Sequence, residues 1–155
     1  MKKGWQSKPL GEVCQFVGGS QPPKSTFSKA EKPGYVRLIQ IRDYKSDDHV
    51  VFIPRKQAKR LCTADDIMIG RYGPPLFQIL RGLEGAYNVA LMKAVPDEMQ
   101  ISRDFLFYFL KSPKIQHHVI SLSARAAGQS GFNKKTLEPY PIPVPPHPEQ
   151  QRIVG

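Results

Sequence analysis

Proline, glycine and aspartate clusters divide the middle of the chain into short β-rich runs, and this division is the strongest restriction on its fold. The chain of 155 residues contains 15 prolines and 12 glycines. Proline cannot donate to a strand ladder, so runs between such breaks are limited to short strands. The predicted strands cover residues 35–42, 50–53, 66–72, 77–80 and 86–94. A short basic helix over residues 54–61 is expected to interrupt them, because proline stands at its first position.

The pattern changes to a helical period from Ser102 onward. Ser102 is a suitable N-cap, and the apolar residues that follow fall on one helical face: Phe105, Leu106, Phe109 and Leu110. Ser112 and Pro113 then open a second helix that ends before Gly128. The side chains predicted to point inward from this second helix are Ile115, Val119, Ile120 and Leu122. Together the two segments predict an angled helix pair.

The C-terminal segment is too rich in proline for a helix or a central strand. Residues 140–148 therefore predict an extended edge segment, with Ile142 and Val144 packed inward. Pro148 and Glu149 then begin a new helical pattern. A helix so short has little to bury, so we expect the protein to continue past Gly155. The predicted fold class is α/β of the α+β type, a mixed, mainly antiparallel twisted sheet with a C-terminal helix pair. We expect residues 1–147 to form one domain and residues 148–155 to begin a further helix that is cut short.

The charge of the chain favours a polyanionic partner. Lys and Arg total 23 against 13 Asp and Glu, a formal net charge of +10 with a pI of about 9.8. Such an excess is typical of nucleic-acid binding, although a generic solvated surface is the alternative. The apolar runs are shorter than the roughly 20 residues of a membrane-spanning helix, and a cytoplasmic protein is expected.

Motifs for catalysis are not found in the sequence. The four histidines do not fall at metal-ligand spacing, and the chain has neither a phosphate-binding P-loop nor a nucleophile elbow. Cys14 and Cys62 are too far apart for a C-x-x-C knuckle and are expected to be reduced, semi-buried thiols. The acidic pairs at 65–66 and 97–98 are interpreted as turn and strand-cap residues.

Several segments, in order along the chain, resemble target-recognition domains of the specificity (S) subunits of type I restriction-modification enzymes. The resemblance covers nearly the whole chain and is most specific near the C-terminus. There a Gly-Gln-Ser tripeptide and an Asn-Lys-Lys-Thr-Leu run precede a proline-rich strand, which is followed by a Glu-Gln-Gln-Arg-Ile-Val run. The segments that carry it are Trp5 with Leu10–Val13, Gly18 with Gly19, and residues 64–69, 69–73, 83–91, 128–130, 133–137, 141–146 and 149–154.

This resemblance implies a non-catalytic domain that reads one half of a split target in double-stranded DNA. In the family, the intact subunit carries two such domains on antiparallel spacer helices. Separate methylation (M) and restriction (R) subunits supply catalysis, and S-adenosylmethionine, ATP and Mg²⁺ belong to them. No cofactor of its own is therefore expected for this chain, and its expected partners are DNA, the M and R subunits, and a second recognition domain.

Specific readout requires cations on phosphates and forked polar side chains on base edges. The phosphate candidates are Lys24, Lys29, Arg37, Lys134 and Lys135. The base-edge candidates are Gln21, Arg71, Gln78, Arg81, Asn88 and Gln129, and Tyr72 and Phe132 are candidates for packing on sugars. A solvated charge is the alternative for each lysine, and a core contact for each aromatic ring. Arg71 is the preferred guanine reader because it lies near glycines on both sides.

Two other functions are compatible with the composition. An RNA-binding module would use the same charge, but the chain lacks the aromatic runs and the G-x-x-G clamp of common RNA-binding domains. A small Mg²⁺-dependent nuclease would use Asp65, Asp66 or Asp97. Competition between duplex and single-stranded nucleic acid, and incubation with labelled DNA and Mg²⁺, separate these alternatives from DNA recognition.

Overall fold

A computed structural model describes residues 4–73, 75–125 and 134–155, without the side chains of residues 124 and 125. The elements in chain order are β1 (Gln6–Pro9), α1 (Leu10–Val13), β2 (Cys14–Gly18), β3 (Tyr35–Ile39), β4 (Val51–Pro54), β5 (Leu61–Cys62), β6 (Ile67–Gly70), β7 (Gln78–Leu80), β8 (Gly85–Tyr87), β9 (Leu91–Pro96), α2 (Arg103–Leu110), α3 (Pro113–Arg125), α4 (Lys134–Leu137), β10 (Pro141–Val144) and α5 (His147–Val154). Single 3-10 turns occupy Lys24–Thr26, Ile41–Tyr44 and Arg55–Gln57.

The strands form two four-stranded sheets and one two-stranded ribbon. The first sheet has the order β2-β9-β6-β7 and is antiparallel throughout. The second sheet has the order β4-β3-β8-β5, in which β3 and β8 are parallel and the other pairs antiparallel. The ribbon pairs β1 with β10 antiparallel, so the proline-rich segment is indeed extended. This arrangement confirms the predicted mixed, mainly antiparallel α+β fold.

The main core lies between the first sheet and the helix pair. Alternation along β6 directs Ile67 and Ile69 toward this core, where the buried side chains of α2 and α3 cover them. The predicted cap of α2 is confirmed, because the Ser102 hydroxyl accepts a hydrogen bond from the Phe105 amide at 3.1 Å. None of the helices in the described ranges has the length and apolar composition needed to cross a membrane.

The two sheets pack together through a smaller cluster. Met68 of β6 and Leu91 of β9 contact Ile39 and Tyr87 from the second sheet, and all four are buried. The hydroxyl of Tyr87 donates to the Val17 carbonyl at 2.9 Å, so the polar end of this ring also joins the sheets. The relative position of the two sheets is therefore fixed by both apolar and polar contacts.

Three local predictions were wrong. The predicted strand over residues 86–94 is two strands, β8 and β9, which belong to different sheets, because a turn at 88–90 separates them. The predicted basic helix over 54–61 shrinks to the 3-10 turn Arg55–Gln57, after which the chain pairs with β8 as β5. Ile120 and Leu122 do not point inward, since they remain 40% and 38% exposed, whereas Ile115 and Val119 are buried as predicted.

The helix α5 was predicted correctly, but the expectation that so short a helix buries little was wrong. Its Gln150 side chain is fully buried. The amide group accepts from the Ser102 backbone N–H at 2.7 Å and donates to the carbonyls of Gln100 and Pro145 at 2.9 and 2.8 Å. These bonds tie the start of α5 to the start of α2.

Candidate nucleic-acid interface

Three chain connections leave the same end of the first sheet. At this end β2 and β6 finish with glycine, and β7 and β9 begin, as the pairings of Gly18 with Met92 and of Gly70 with both Leu91 and Gln78 show. The connections are residues 19–34, 71–77 and 88–90. The 3-10 turn Ile41–Tyr44 joins them, because Ile41 lies against Gly70. We call this region the basic end.

The turn 88–90 holds the other connections of the basic end in place. Its Asn88 side chain accepts a hydrogen bond from the Ala90 N–H at 3.1 Å. On one side, Gly19 N–H donates to Leu91 at 3.0 Å and Ser20 N–H donates to the Tyr87 carbonyl at 3.2 Å. On the other side, the backbone N–H of Arg71 donates to the Ala90 carbonyl at 2.9 Å. The turn thereby fixes the backbone of the two connections that carry Gln21 and Arg71.

The guanidinium of Arg71 is held by its surroundings in the basic end. Its Nη1 donates to the Val89 carbonyl at 3.2 Å, and its Cζ lies 5.4 Å from the centre of the Tyr72 ring, which is 41% exposed. Gly73 is required sterically, since a Cβ there would lie 2.6 Å from the Leu76 amide nitrogen. Such restriction pre-organises the planar fork that matches the acceptors of guanine.

Sequence reasoning missed three cations of the basic end: Arg42, Lys45 and Arg60. Arg42 and Lys45 are exposed on and just after the turn Ile41–Tyr44, and Arg60 donates through Nε to the Gly18 carbonyl at 3.2 Å. The predicted strand ran through residue 42, so Arg42 was not recognised as part of a turn. A signal was present, because Gln40 and Asp43 have the spacing of a helix cap and form a capping box.

The opposite end of the first sheet is acidic. Here β2 and β6 begin and β7 and β9 end, and the carboxylates in the adjoining segments belong to Glu12, Asp65, Asp66, Glu84, Asp97, Glu98 and Asp104. Asp66 accepts from the Thr63 N–H at 2.7 Å and pairs with Lys93 and Arg103 at 3.9 and 3.8 Å. The two ends of one sheet therefore differ in charge, and a polyanion is attracted more strongly to the basic end.

Of the carboxylates considered for a nuclease, those of Asp66 and Asp97 serve local structure at the acidic end. Asp97 accepts from the Gln100 side chain at 2.8 Å and from the Met99 N–H at 3.1 Å, and these two bonds lower its pKa. The Asp65 carbonyl accepts from Arg81 at 2.9 Å. Among the residues that the structure describes, no group of three His, Cys, Asp or Glu is arranged to hold a metal ion.

Three predicted DNA contacts, one to phosphate and two to base edges, lie elsewhere or are engaged within the domain. Arg81 is at the acidic end, where its Nη1 pairs with Asp104 at 2.9 Å and its Cζ lies 5.0 Å from the Phe107 ring centre. Arg37 lies within β3 and pairs with Asp47 at 3.6 Å. Gln78 begins β7 at the basic end, and its side chain donates to the Pro75 carbonyl at 3.2 Å.

The predicted lysines divide into two groups. Lys24 and Lys29 are exposed on the connection 19–34, which the paired backbones of Ser28 and Phe52 fasten to the edge strand β4. Lys134 and Lys135 are exposed on α4, which lies beside α1, since the Gly11 N–H donates to the Glu138 carbonyl at 2.9 Å. The structure therefore separates α4 from the basic end. Gln129 and Phe132 lie outside the described residues.

Comparison with known proteins matches this fold to one family. Residues 2–155 match the family model for the type I restriction modification DNA specificity domain. An 80-residue stretch, 52% of the chain, is 34% identical to 14% of the type I restriction enzyme EcoEI specificity subunit of Escherichia coli. The MjaVIII specificity subunit of Methanocaldococcus jannaschii is 21% identical over 149 residues, 96% of this chain and 34% of that protein.

Solved structures show the same architecture. A chain from a study of complex assembly and conformational transition in the type I R-M system superposes with a TM-score of 0.74 at 26% identity, over 99% of this chain and 37% of the other. The HsdS subunit of Thermoanaerobacter tengcongensis gives 0.75 at 23% identity, over 99% and 36%. The chain thus spans about a third of the length of the relatives that it matches over nearly its whole length.

Proposed function

The chain belongs to the family of type I restriction modification DNA specificity domains, and on that premise we propose that its basic end reads one half of a bipartite target in double-stranded DNA. The observation that carries the proposal is the convergence at one end of the first sheet, opposite an acidic end, of three connections, two of which follow a strand-ending glycine, and of the cations Arg42, Lys45, Arg60 and Arg71. A duplex approaching the first sheet is therefore attracted more strongly to this end than to the opposite end.

Arg71 is the proposed reader of a guanine. A guanidinium presents two parallel donors to the O6 and N7 acceptors in the major groove, and each such pair contributes roughly 1–3 kcal/mol of discrimination. The Val89 carbonyl and the Tyr72 ring restrict the side chain before DNA binds. Less rotamer freedom then remains to be lost on binding, which strengthens the contact. Gln21, on the neighbouring connection, is the second proposed reader.

The remaining cations of the basic end are proposed to fix register on phosphates. Arg42 and Lys45 extend from a short turn whose single carboxylate, Asp43, is buried and accepts from the Gln40 N–H at 2.8 Å. That carboxylate is directed inward and does not cover the exposed cations. Lys24 and Lys29 add charge along the connection 19–34. Contacts of this kind position a protein without selecting a base.

The domain is proposed to be non-catalytic within a larger assembly. Methylation and restriction subunits would carry the chemistry, together with S-adenosylmethionine, ATP and Mg²⁺, and a second recognition domain would read the other half of the target. The support for these partners is family membership. Nuclease assays of the purified protein with Mg²⁺ test this part, and cleavage abolished by Asp97→Ala or Asp66→Ala would contradict it.

Selection from a randomised duplex pool, followed by anisotropy titrations, tests the proposed readout. We expect wild-type protein to enrich a short motif and Arg71→Ala to lose preference at one guanine, by about 10-fold or more. Arg152→Ala is the matched control, since Arg152 is exposed on α5 and pairs with Glu149 there. Equal enrichment by wild type and Arg71→Ala removes Arg71 as a reader. Preference for single-stranded RNA over duplex DNA would refute the proposed function.

A further inference from the structure

A groove of about 740 Å³ lies between α3 and β10, outside the proposed reading surface. Phe109, Tyr140 and Pro141 line its apolar floor, and Lys114, His117 and Ser121 line one wall. No carboxylate is among the described residues that line it. A groove lined by a lysine, imidazole rings and hydroxyls but by no described acidic group favours an anionic ligand.

The polar wall is a single stripe of α3. Lys114, His117 and Ser121 are spaced at i, i+3 and i+7, so their side chains follow one another along the same helical face. Lys114 and His117 are exposed, and the His117 ring lies 3.5 Å from the Ser121 hydroxyl. Seven residues of helix rise roughly 10 Å, which is long enough to follow more than one phosphate of a strand.

The floor of the groove is packed in a fixed arrangement. The ring of Tyr140 lies 4.8 Å from that of His118 and 6.2 Å from that of Phe109, centre to centre. These contacts fasten β10 to the helix pair. The stripe on α3 therefore faces a floor that is already formed before a ligand binds. Apolar rings and prolines of this kind can pack against deoxyribose without competing for phosphate.

One hydrogen bond joins α3 to the basic end. The side chain of Gln116 donates to the Phe77 carbonyl at 3.1 Å and to the Leu110 carbonyl at 3.0 Å. Phe77 is the last residue of the connection 71–77, the connection that Arg71 begins. Lys114, the first residue of the stripe, lies in the same first turn of α3 but on the opposite side of the helix from Gln116, so this bond fixes the start of the stripe relative to the connection that carries Arg71.

We propose that the α3 groove binds backbone phosphates of the DNA that flanks the bases read at the basic end, through Lys114, His117 and Ser121. The inference rests on the proposed function and adds a second, sequence-independent contact surface to it. Cations and hydroxyls of this type account for most protein contacts to phosphate. An acidic segment of a partner protein is the competing occupant, and the experiment below separates the two.

Salt titration of a 24-base-pair duplex is the test. Each phosphate contact contributes about 0.9 to the slope of log affinity against log salt. We expect the double variant Lys114→Ala/His117→Ala to lose about 0.9 units of slope relative to wild type, from the charge of Lys114. The matched control is Lys56→Ala/His49→Ala, which removes the same residue types from exposed positions on other segments. Thermal melts establish that both variants remain folded.

Three outcomes overturn the inference, and they are distinguishable. A wild-type protein that fails to bind any duplex refutes the proposed function together with the groove. Wild-type binding with the same slope in the Lys114→Ala/His117→Ala variant and the control refutes the groove alone. A variant that keeps the wild-type slope but no longer associates with the purified M subunit assigns the groove to a protein partner.

Discussion

The carbonyl group of Asn88 occupies the space that a side chain on Gly19 would need. A Cβ atom at Gly19 would overlap the Asn88 carbonyl oxygen and would lie 2.8 Å from that of Tyr87. Backbone cannot give way as the end of a flexible side chain can. The absence of a side chain at Gly19 is therefore what allows the connection 19–34 to lie against the turn 88–90, the same turn that supports Arg71.

Gly19→Ala is expected to destabilise the domain and to weaken DNA binding together. The turn must move, so we expect a loss of about 1–3 kcal/mol in the free energy of unfolding, measured with urea. Because the same turn supports Arg71, Gly19→Ala and Arg71→Ala should be non-additive in DNA affinity. Gly18→Ala is the control, since a Cβ at Gly18 meets nothing within 4 Å. Additive effects would show that the turn does not position Arg71.

Gln150→Ala is expected to destabilise the domain without changing base preference. The substitution leaves the Ser102 N–H and two carbonyls without the partner that they have now, and the side chain is fully buried. Buried groups left unsatisfied cost about 1–3 kcal/mol. Urea unfolding measures this loss, and Gln151→Ala, at the exposed neighbouring position, should be near neutral. A similarly small effect for both variants would mean that the start of α5 does not stabilise α2.

Arg81→Ala is expected to affect stability and not DNA recognition. The Asp104 carboxylate is 66% exposed, so the ion pair itself contributes little to stability. Arg81 also bonds to the Asp65 carbonyl and packs on Phe107, and with these contacts we expect a loss of about 1 kcal/mol in the free energy of unfolding. Urea unfolding and the duplex selection measure the two effects separately. If Arg81→Ala loses base preference, Arg81 contacts bases as the sequence predicted.

The thiol of Cys62 is expected to make stability fall with rising pH. Burial raises its pKa to about 11, chiefly by removing water from the thiolate, while the unfolded thiol has the ordinary, lower value. Below the unfolded pKa the full stability is present; above it the unfolded state releases a proton first, and stability is lost by up to about 1.4 kcal/mol per pH unit until the folded pKa is reached. Urea unfolding at pH 7.5 and 10 measures the difference, and Cys62→Ala should reduce it.

The same burial predicts slow alkylation of both cysteines. The pKa of Cys14 is raised to about 12, first by burial and second by the charge of Glu138. The thiolate is the reactive form, so iodoacetamide at pH 8 should modify neither thiol until the protein is unfolded in guanidinium. Rapid modification of the native protein at either position would show that the residue is accessible and ionised.

Elements with local determinants were predictable from the sequence. The cap at Ser102, the apolar face of α2 and the start of α5 depend on residues within one or two turns, and all three were confirmed. The extended proline-rich strand β10 was predicted for the same reason, since proline acts on its own backbone. Its partner β1 was not predicted, because the pairing joins residues more than 130 positions apart.

The candidate site was likewise predictable only where neighbouring residues determine it. Gly70 and Gly73 beside Arg71 were visible in the sequence, and the structure places both glycines at the basic end with Arg71. Arg81 was predicted, like Arg71, to reach base edges, yet the β6–β7 hairpin places the two at opposite ends of one sheet. Its pairing with Asp104 depends on how α2 packs, which no local pattern reveals.

Neighbouring residues and composition were enough to fix where α2 and α5 begin, that the proline-rich segment is extended and that the chain carries a large positive charge. Tertiary structure alone decided that residues 86–94 serve two sheets, that Arg42 and Arg60 join Arg71, and that Lys134 and Lys135 lie apart. Strand order and sheet packing set these distances, and both depend on contacts between residues far apart in the chain.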